Sequence, residues 1–183
     1  MLFRSPLRVV AVAAMLWSLR NSLPWREFRP SLKPVAIGVV CFAAWKLLAP
    51  AVGTSPAAAA LDPYQLGQPW AGLWILFRIV GSTVTVPIAE ELFFRGFLTR
   101  RCISEDADSV PLGTFSWFSC GFSAVAFGLL HGEAWLAGIV AGLFFAAALY
   151  DRRRLSDAVL AHATTNALVS GTVIAGSAWA DWG

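Results

Sequence analysis

Residues 70–98 read WAGLWILFRIVGSTVTVPIAEELFFRGFL, an apolar run whose only charges are Arg78, Glu90, Glu91 and Arg95. Its length suits a helix that crosses a hydrocarbon core, so it predicts a membrane protein. Three of the four charges fall within Glu90-Glu91-Leu92-Phe93-Phe94-Arg95. A charged side chain at a membrane centre costs roughly 2.5–3.5 kcal/mol on insertion scales, so three unpaired ones would cost on the order of 8–10 kcal/mol. Helix geometry divides them. Glu91 and Arg95 stand four apart with the acid N-terminal, so they share a face and can pair. Glu90 is rotated about 100° from Glu91 and is the carboxylate left over. Without a partner in a low-dielectric site, it is a candidate general base.

The rest of the chain agrees with that medium. Of 183 residues, 57% are hydrophobic and 14% charged, and the mean hydropathy is +0.64. A soluble domain carries about 25% charged residues. Further apolar segments cover 34–52, 112–131, 134–150 and 155–178, each close to the ~20 residues of a spanning helix. A shorter one, 7–19, ends before Arg20 and is expected as a first membrane helix or an interfacial one. The expected fold is all-α, a polytopic helical membrane bundle of about five to six transmembrane helices. It forms a single integral membrane domain over 1–183, with a motif-bearing core over 70–178.

The net charge of +3 is small, and the basic residues sit in short loops rather than in a nucleic-acid footprint. Arg20, Arg26, Arg29 and Lys33 share one loop, Arg100 and Arg101 a second, and Arg152, Arg153 and Arg154 a third, whereas 53–69 and 132–133 hold no Lys or Arg. This alternation assigns the three basic loops to the cytoplasm and 53–69 to the outside. Cys41, Cys102 and Cys120 have no disulfide or metal spacing and are read as small buried hydrophobes. Gly138, Gly142, Ala146 and Ala147 offer small surfaces for close helix packing. Pro87 frees a backbone carbonyl one turn back and is expected to bend the helix beside the charged pair.

The two histidines both fall in apolar segments, His131 closing FGLLH and His162 opening HATTN. The i,i+4 spacing puts Phe127 beside His131 and Asn166 beside His162. Ionisable groups inside a membrane segment are functional candidates. A spare carboxylate, two imidazoles and an amide suit water-mediated acyl hydrolysis. In that chemistry Glu90 takes a proton from water, His131 holds or helps deprotonate the water, and His162 with Asn166 offers N–H donors to an oxyanion. Glu90, His131 and His162 would equally make a His₂Glu zinc set, although no HExxH spacing occurs. No GxSxG elbow is present, and no cysteine lies near a histidine in sequence.

Three motifs resemble those of the CAAX-protease and bacteriocin-processing family of intramembrane endopeptidases. AEELFFRG is similar to its EExxxR motif, FGLLH to FxxxH and HATTN to HxxxN, in family order from Glu90 to Asn166. The resemblance implies an all-helical membrane glutamate protease with no obligatory metal or other cofactor. Glu90 and His131 would activate water, His162 and Asn166 would form the oxyanion hole, and Glu91, Arg95 and Phe127 would brace the site. VPIAEELFFRG and LSDAVLAHATTNAL also resemble the branch associated with exosortase sorting systems. The first ~70 residues add nothing to the resemblance.

The expected activity is therefore cleavage of a peptide bond in a membrane-anchored or lipid-modified protein. The expected partners are that protein or peptide, the lipid bilayer and an exosortase-type sorting system, with no nucleic acid. The alternatives are a non-catalytic membrane adaptor or immunity protein, and a zinc-dependent protease using the same residues. The expected location is a bacterial inner membrane. Glu90 and His162 fall about 12–15 Å from the cytoplasmic loops at 1.5 Å per residue, while His131 ends its segment. The 112–131 helix is accordingly expected to start later, near Trp117, or to be tilted or re-entrant. The site would then be a mid-membrane cavity opening to the cytoplasm.

Overall fold

The computed structural model describes residues 4–18, 20–21, 31–49 and 62–179. Six helices carry the fold, and no strand occurs among the described residues. They are α1 (Arg4–Ser18), α2 (Leu32–Leu48), α3 (Trp70–Arg101), α4 (Trp117–Leu129), α5 (Trp135–Arg152) and α6 (Leu155–Gly176). The chain is an integral membrane protein: α3, the Gly132–Arg152 stretch containing α5, and α6 are each long and apolar enough to cross a bilayer. Arg26, Arg29 and the first part of the 53–69 loop lie outside the described residues, so the charge pattern there stays an expectation.

Helix ends follow local chemistry. Ala49 is extended, as a residue preceding proline prefers, and α2 stops there rather than running to residue 52. The turn at Pro111–Thr114 and the positive φ of Gly113 hold the chain out of the helix until Trp117, which is the later start named above. With 13 residues, α4 is about 20 Å long. Helix α3 continues past residue 98 to Arg101 and has 32 residues, or about 48 Å. It is not uniformly α: Gly81–Thr85 and Leu92–Leu98 are π segments, a distortion that recurs at functional sites. The two segments bracket Glu90 and Glu91.

The bundle is built around α5 and α6. Helix α5 packs on α4, α2 and α6; α6 packs on α2 and α3; and α1 lies on α3. Backbones come very close where α4 crosses α5. A Cβ on Gly138 would stand 2.8 Å from Gly128 Cα and 3.1 Å from His131 Nδ1, and one on Gly128 would stand 2.6 Å from Trp135 O. Only glycine fits there, which is the small-residue packing expected of membrane helices. The main core joins Cys41, Phe94, Phe127, Phe145, Leu149 and Ala158. A second cluster, Trp74, Val173 and Trp179, lies where the start of α3 meets the end of α6. Of the cysteines, Cys41 alone is buried; Cys102 and Cys120, read above as buried, are half-buried, Cys102 because it lies just past the end of α3.

Lys33, Arg100, Arg152 and Arg153 collect at one end, whereas Lys46 lies in the last turn of α2 and Arg78 lines the cavity described below, both away from it. Lys33, at the start of α2, pairs with Asp151; Arg100 pairs with Asp108 at 3.4 Å; and Gly113 lies against Arg153. Arg152 pairs with Asp157 in the first turn of α6 at 2.6 Å.

Candidate active site

The site begins with a buried charge network. Arg95 Nη1 donates to Glu91 Oε1 at 3.1 Å, and both residues are fully buried. Arg95 Nη2 donates to the Gly142 carbonyl at 2.8 Å, which ties α3 to α5. The guanidinium lies 4.5 Å from the Phe127 ring centroid and 5.6 Å from that of Phe145, so aromatic faces take up charge that water would otherwise solvate. The i,i+4 pair read from sequence is therefore present.

His162 joins that network, which its sequence position does not reveal. Its Nδ1 is 2.9 Å from Glu91 Oε1. A carboxylate paired with arginine accepts, so Nδ1 is the donor in this arrangement. Phe145 stacks on the imidazole at 4.3 Å and 14°, and Phe127 meets it edge-on at 5.6 Å. With one nitrogen bonded and one face stacked, the ring has a fixed orientation. Nε2 then faces Glu90 Oε2 at 3.8 Å, beyond hydrogen-bonding distance. That Glu90 oxygen is buried and has no hydrogen-bond partner among the described residues, as is the second oxygen of Glu91. Glu90 differs from Glu91 in being partly open, at 27% side-chain exposure.

His131 lies two residues past the end of α4, where the chain turns into α5. Its Nδ1 is 2.8 Å from the Phe127 carbonyl. A carbonyl can only accept, so Nδ1 carries a proton and the neutral ring keeps its lone pair on Nε2. Phe127 packs against it at 4.7 Å and Trp45 of α2 at 5.5 Å. Asn166, one turn beyond His162, donates from Nδ2 to the Ser82 carbonyl at 2.8 Å. An amide NH₂ has two protons, so a second N–H remains for another acceptor.

These groups surround a cavity of about 200 Å³ whose lining includes Trp45, Phe127, His131, Phe145, His162 and Asn166, together with Arg78, Ser82 and Ser170. Glu90 stands outside that lining and meets it through His162. The lining runs from His162 to Ser170 along α6, away from the arginine-bearing end. On the arginine side, the main core (Phe94, Leu149, Ala158) fills the interior. Phe127, placed here as a brace, contacts His131, His162, Phe94 and Phe145. Trp45, Phe145 and Ser82 were not legible as site residues: an aromatic or serine in an apolar helix carries no spacing signal. Among the described residues, no three His, Cys, Asp or Glu side chains are gathered so as to hold a metal ion.

Fold and cavity together define a helical membrane protein with acid–base groups sequestered inside the bundle. The family described as type II CAAX prenyl endopeptidase Rce1-like matches residues 72–168, and the chain belongs to it. That span runs from the first turn of α3 into α6 and includes all seven motif positions from Glu90 to Asn166. The family makes the chain a CAAX-type membrane protease in general class. No curated protein and no solved structure matches the chain.

Proposed function

We propose that the chain is a glutamate-dependent intramembrane endopeptidase that cleaves a membrane-anchored or lipid-modified protein within the bundle. The observation that carries this reading is the Glu90 carboxylate, with a buried oxygen that accepts no hydrogen bond among the described residues and lies 3.8 Å from His162 Nε2. A carboxylate so placed can accept a proton from water. His131 Nε2, left with its lone pair, accepts a hydrogen bond from the same water. The hydroxide formed attacks the peptide carbonyl carbon. The resulting oxyanion takes a hydrogen bond from the spare N–H of Asn166 and from Nε2–H of His162. Because Nδ1 already donates to Glu91, an Nε2–H on His162 means the imidazolium form, so that donor also brings a positive charge. Collapse breaks the C–N bond, and the proton held on Glu90 passes to the leaving amine.

The arginine-bearing end faces the cytoplasm in this reading, by the loop-charge rule, and the membrane is a bacterial inner membrane. The cavity extends from His162 toward Ser170, away from that end, while Phe94, Leu149 and Ala158 fill the interior on the arginine side. In this reading water and substrate therefore reach the site from the side opposite the expected cytoplasmic mouth. An exosortase-type sorting system, suggested by the sequence around Glu90 and His162, is the first place to look for the substrate. Mass spectrometry of membrane-protein termini, comparing cells carrying the chain with cells carrying Glu90→Gln, tests the reading. We expect a terminus that is trimmed only with the unaltered chain. Identical termini in both cells would count against proteolysis.

A further inference from the structure

Asn166 Nδ2 donates to a main-chain carbonyl, that of Ser82, in the middle of a membrane helix. A carbonyl inside a helix is normally occupied by an N–H four residues on, or five in a π segment. Both donors are missing here, for different reasons. The N–H of Val86, four residues on, is turned to Gly81 O by the π register. The donor five residues on would be Pro87, which has no N–H. Ser82 O is therefore left open by the conjunction of a π turn and a proline. A carbonyl without a donor is costly inside a membrane, and Asn166 meets this half-buried one. The Ser82 hydroxyl also lies 3.2 Å from Ser170 Oγ, so α6 grips this one residue from Asn166 and from the turn beyond.

We infer that Pro87 and the Ser82 carbonyl are positioning elements for catalysis: they fix the Asn166 amide so that its second N–H points at the substrate oxygen. This rests on the reading of Asn166 as an oxyanion donor. Its consequence for Pro87 concerns main-chain hydrogen bonding rather than only helix bending. Restoring an N–H at position 87 would give Ser82 O a helical partner and release the amide, without adding bulk or removing any side chain from the cavity.

The test combines kinetics with a direct view of the amide. The chain has two asparagines, Asn21 and Asn166, so an Asn21→Ser background leaves one side-chain amide to observe with selectively ¹⁵N-labelled asparagine. In the full-length protein we expect two well-separated Asn166 amide proton signals, and in Pro87→Ala we expect them to converge. We expect kcat for Pro87→Ala to fall by roughly 10–100-fold at unchanged KM, less than the ~10²–10³ for losing an oxyanion donor outright. In an Asn166→Ala background, Pro87→Ala should cost nothing further, which a merely structural proline would not satisfy. Unchanged Asn166 signals in Pro87→Ala would overturn the inference whatever the activity. So would converged signals with wild-type kcat while Asn166→Ala is slow. Wild-type kcat in Asn166→Ala would overturn both the oxyanion reading and the positioning role, and the amide signals would still report separately whether Pro87 holds the side chain.

Discussion

His162 Nδ1 and Glu91 Oε1 are 2.9 Å apart, on residues that are 71 positions apart in sequence, and the same oxygen accepts from Arg95 at 3.1 Å. Glu91 therefore does two jobs. It neutralises a buried arginine, and it sets the orientation of an imidazole whose other nitrogen faces Glu90. The arrangement has the logic of an oriented histidine, with a carboxylate behind the ring fixing which nitrogen looks into the site.

The first expectation concerns that carboxylate. Removing one member of a buried ion pair leaves the other uncompensated, typically at a cost of about 3–5 kcal/mol. Glu91→Ala should therefore lower the yield of folded protein and its thermal stability in detergent. Arg95→Ala should do the same. Normal yield and stability in either variant would show that the network contributes little to folding.

A second expectation concerns the crossing of α4 and α5. A Cβ on Gly138 would approach Gly128 Cα at 2.8 Å and His131 Nδ1 at 3.1 Å. Gly138→Val should separate the helices and displace His131, at an overpacking cost of about 1–3 kcal/mol. We expect a lowered melting temperature together with slowed cleavage. A variant as stable and as active as the unaltered protein would mean the crossing tolerates a wider spacing.

The same two residues mark what the sequence could and could not reveal. The Glu91–Arg95 pair was legible because a helix puts i and i+4 on one face, and the apolar runs revealed α3, α5 and α6 because a bilayer imposes their length. The His162–Glu91 bond was not, since nothing local encodes which distant helices meet. From sequence, Pro87 frees a carbonyl one turn back. In α register that would be Thr83, and the π turn makes it Ser82, a shift with no sequence mark. Trp45 shows the same limit from the other direction: it lies in the part of the chain that carried no motif, yet it packs on His131.

The third expectation is topological. Lys33, Arg100 and Arg152–Arg154 carry the positive charge of one end, and the 53–69 loop carries none. Cysteines placed in the 152–154 turn should react only with reagents that reach the cytoplasm, and cysteines in the 53–69 loop only with reagents added outside. Labelling of both from one side would reverse or break the orientation.

A fourth expectation separates an oxyanion hole from zinc. If Glu90, His131 and His162 coordinated a metal, strong chelators would abolish cleavage and bound zinc would be near stoichiometric. We expect purified protein to keep cleaving in chelator, with little bound zinc. Stoichiometric zinc, with activity lost to chelator and recovered on adding metal, would replace the water-activating glutamate by a metal-bound water.

The most direct measurement is single-turnover cleavage by purified Glu90→Gln, with folded yield and melting temperature measured on the same preparation. Among the described residues the buried Glu90 oxygen has no hydrogen-bond partner, and the Arg95 bridge goes to Glu91, so the amide should leave folding intact. Loss of a general base should slow cleavage by about 10²–10⁴-fold. Cleavage at the unaltered rate by well-folded Glu90→Gln would contradict the central claim that this carboxylate activates the water.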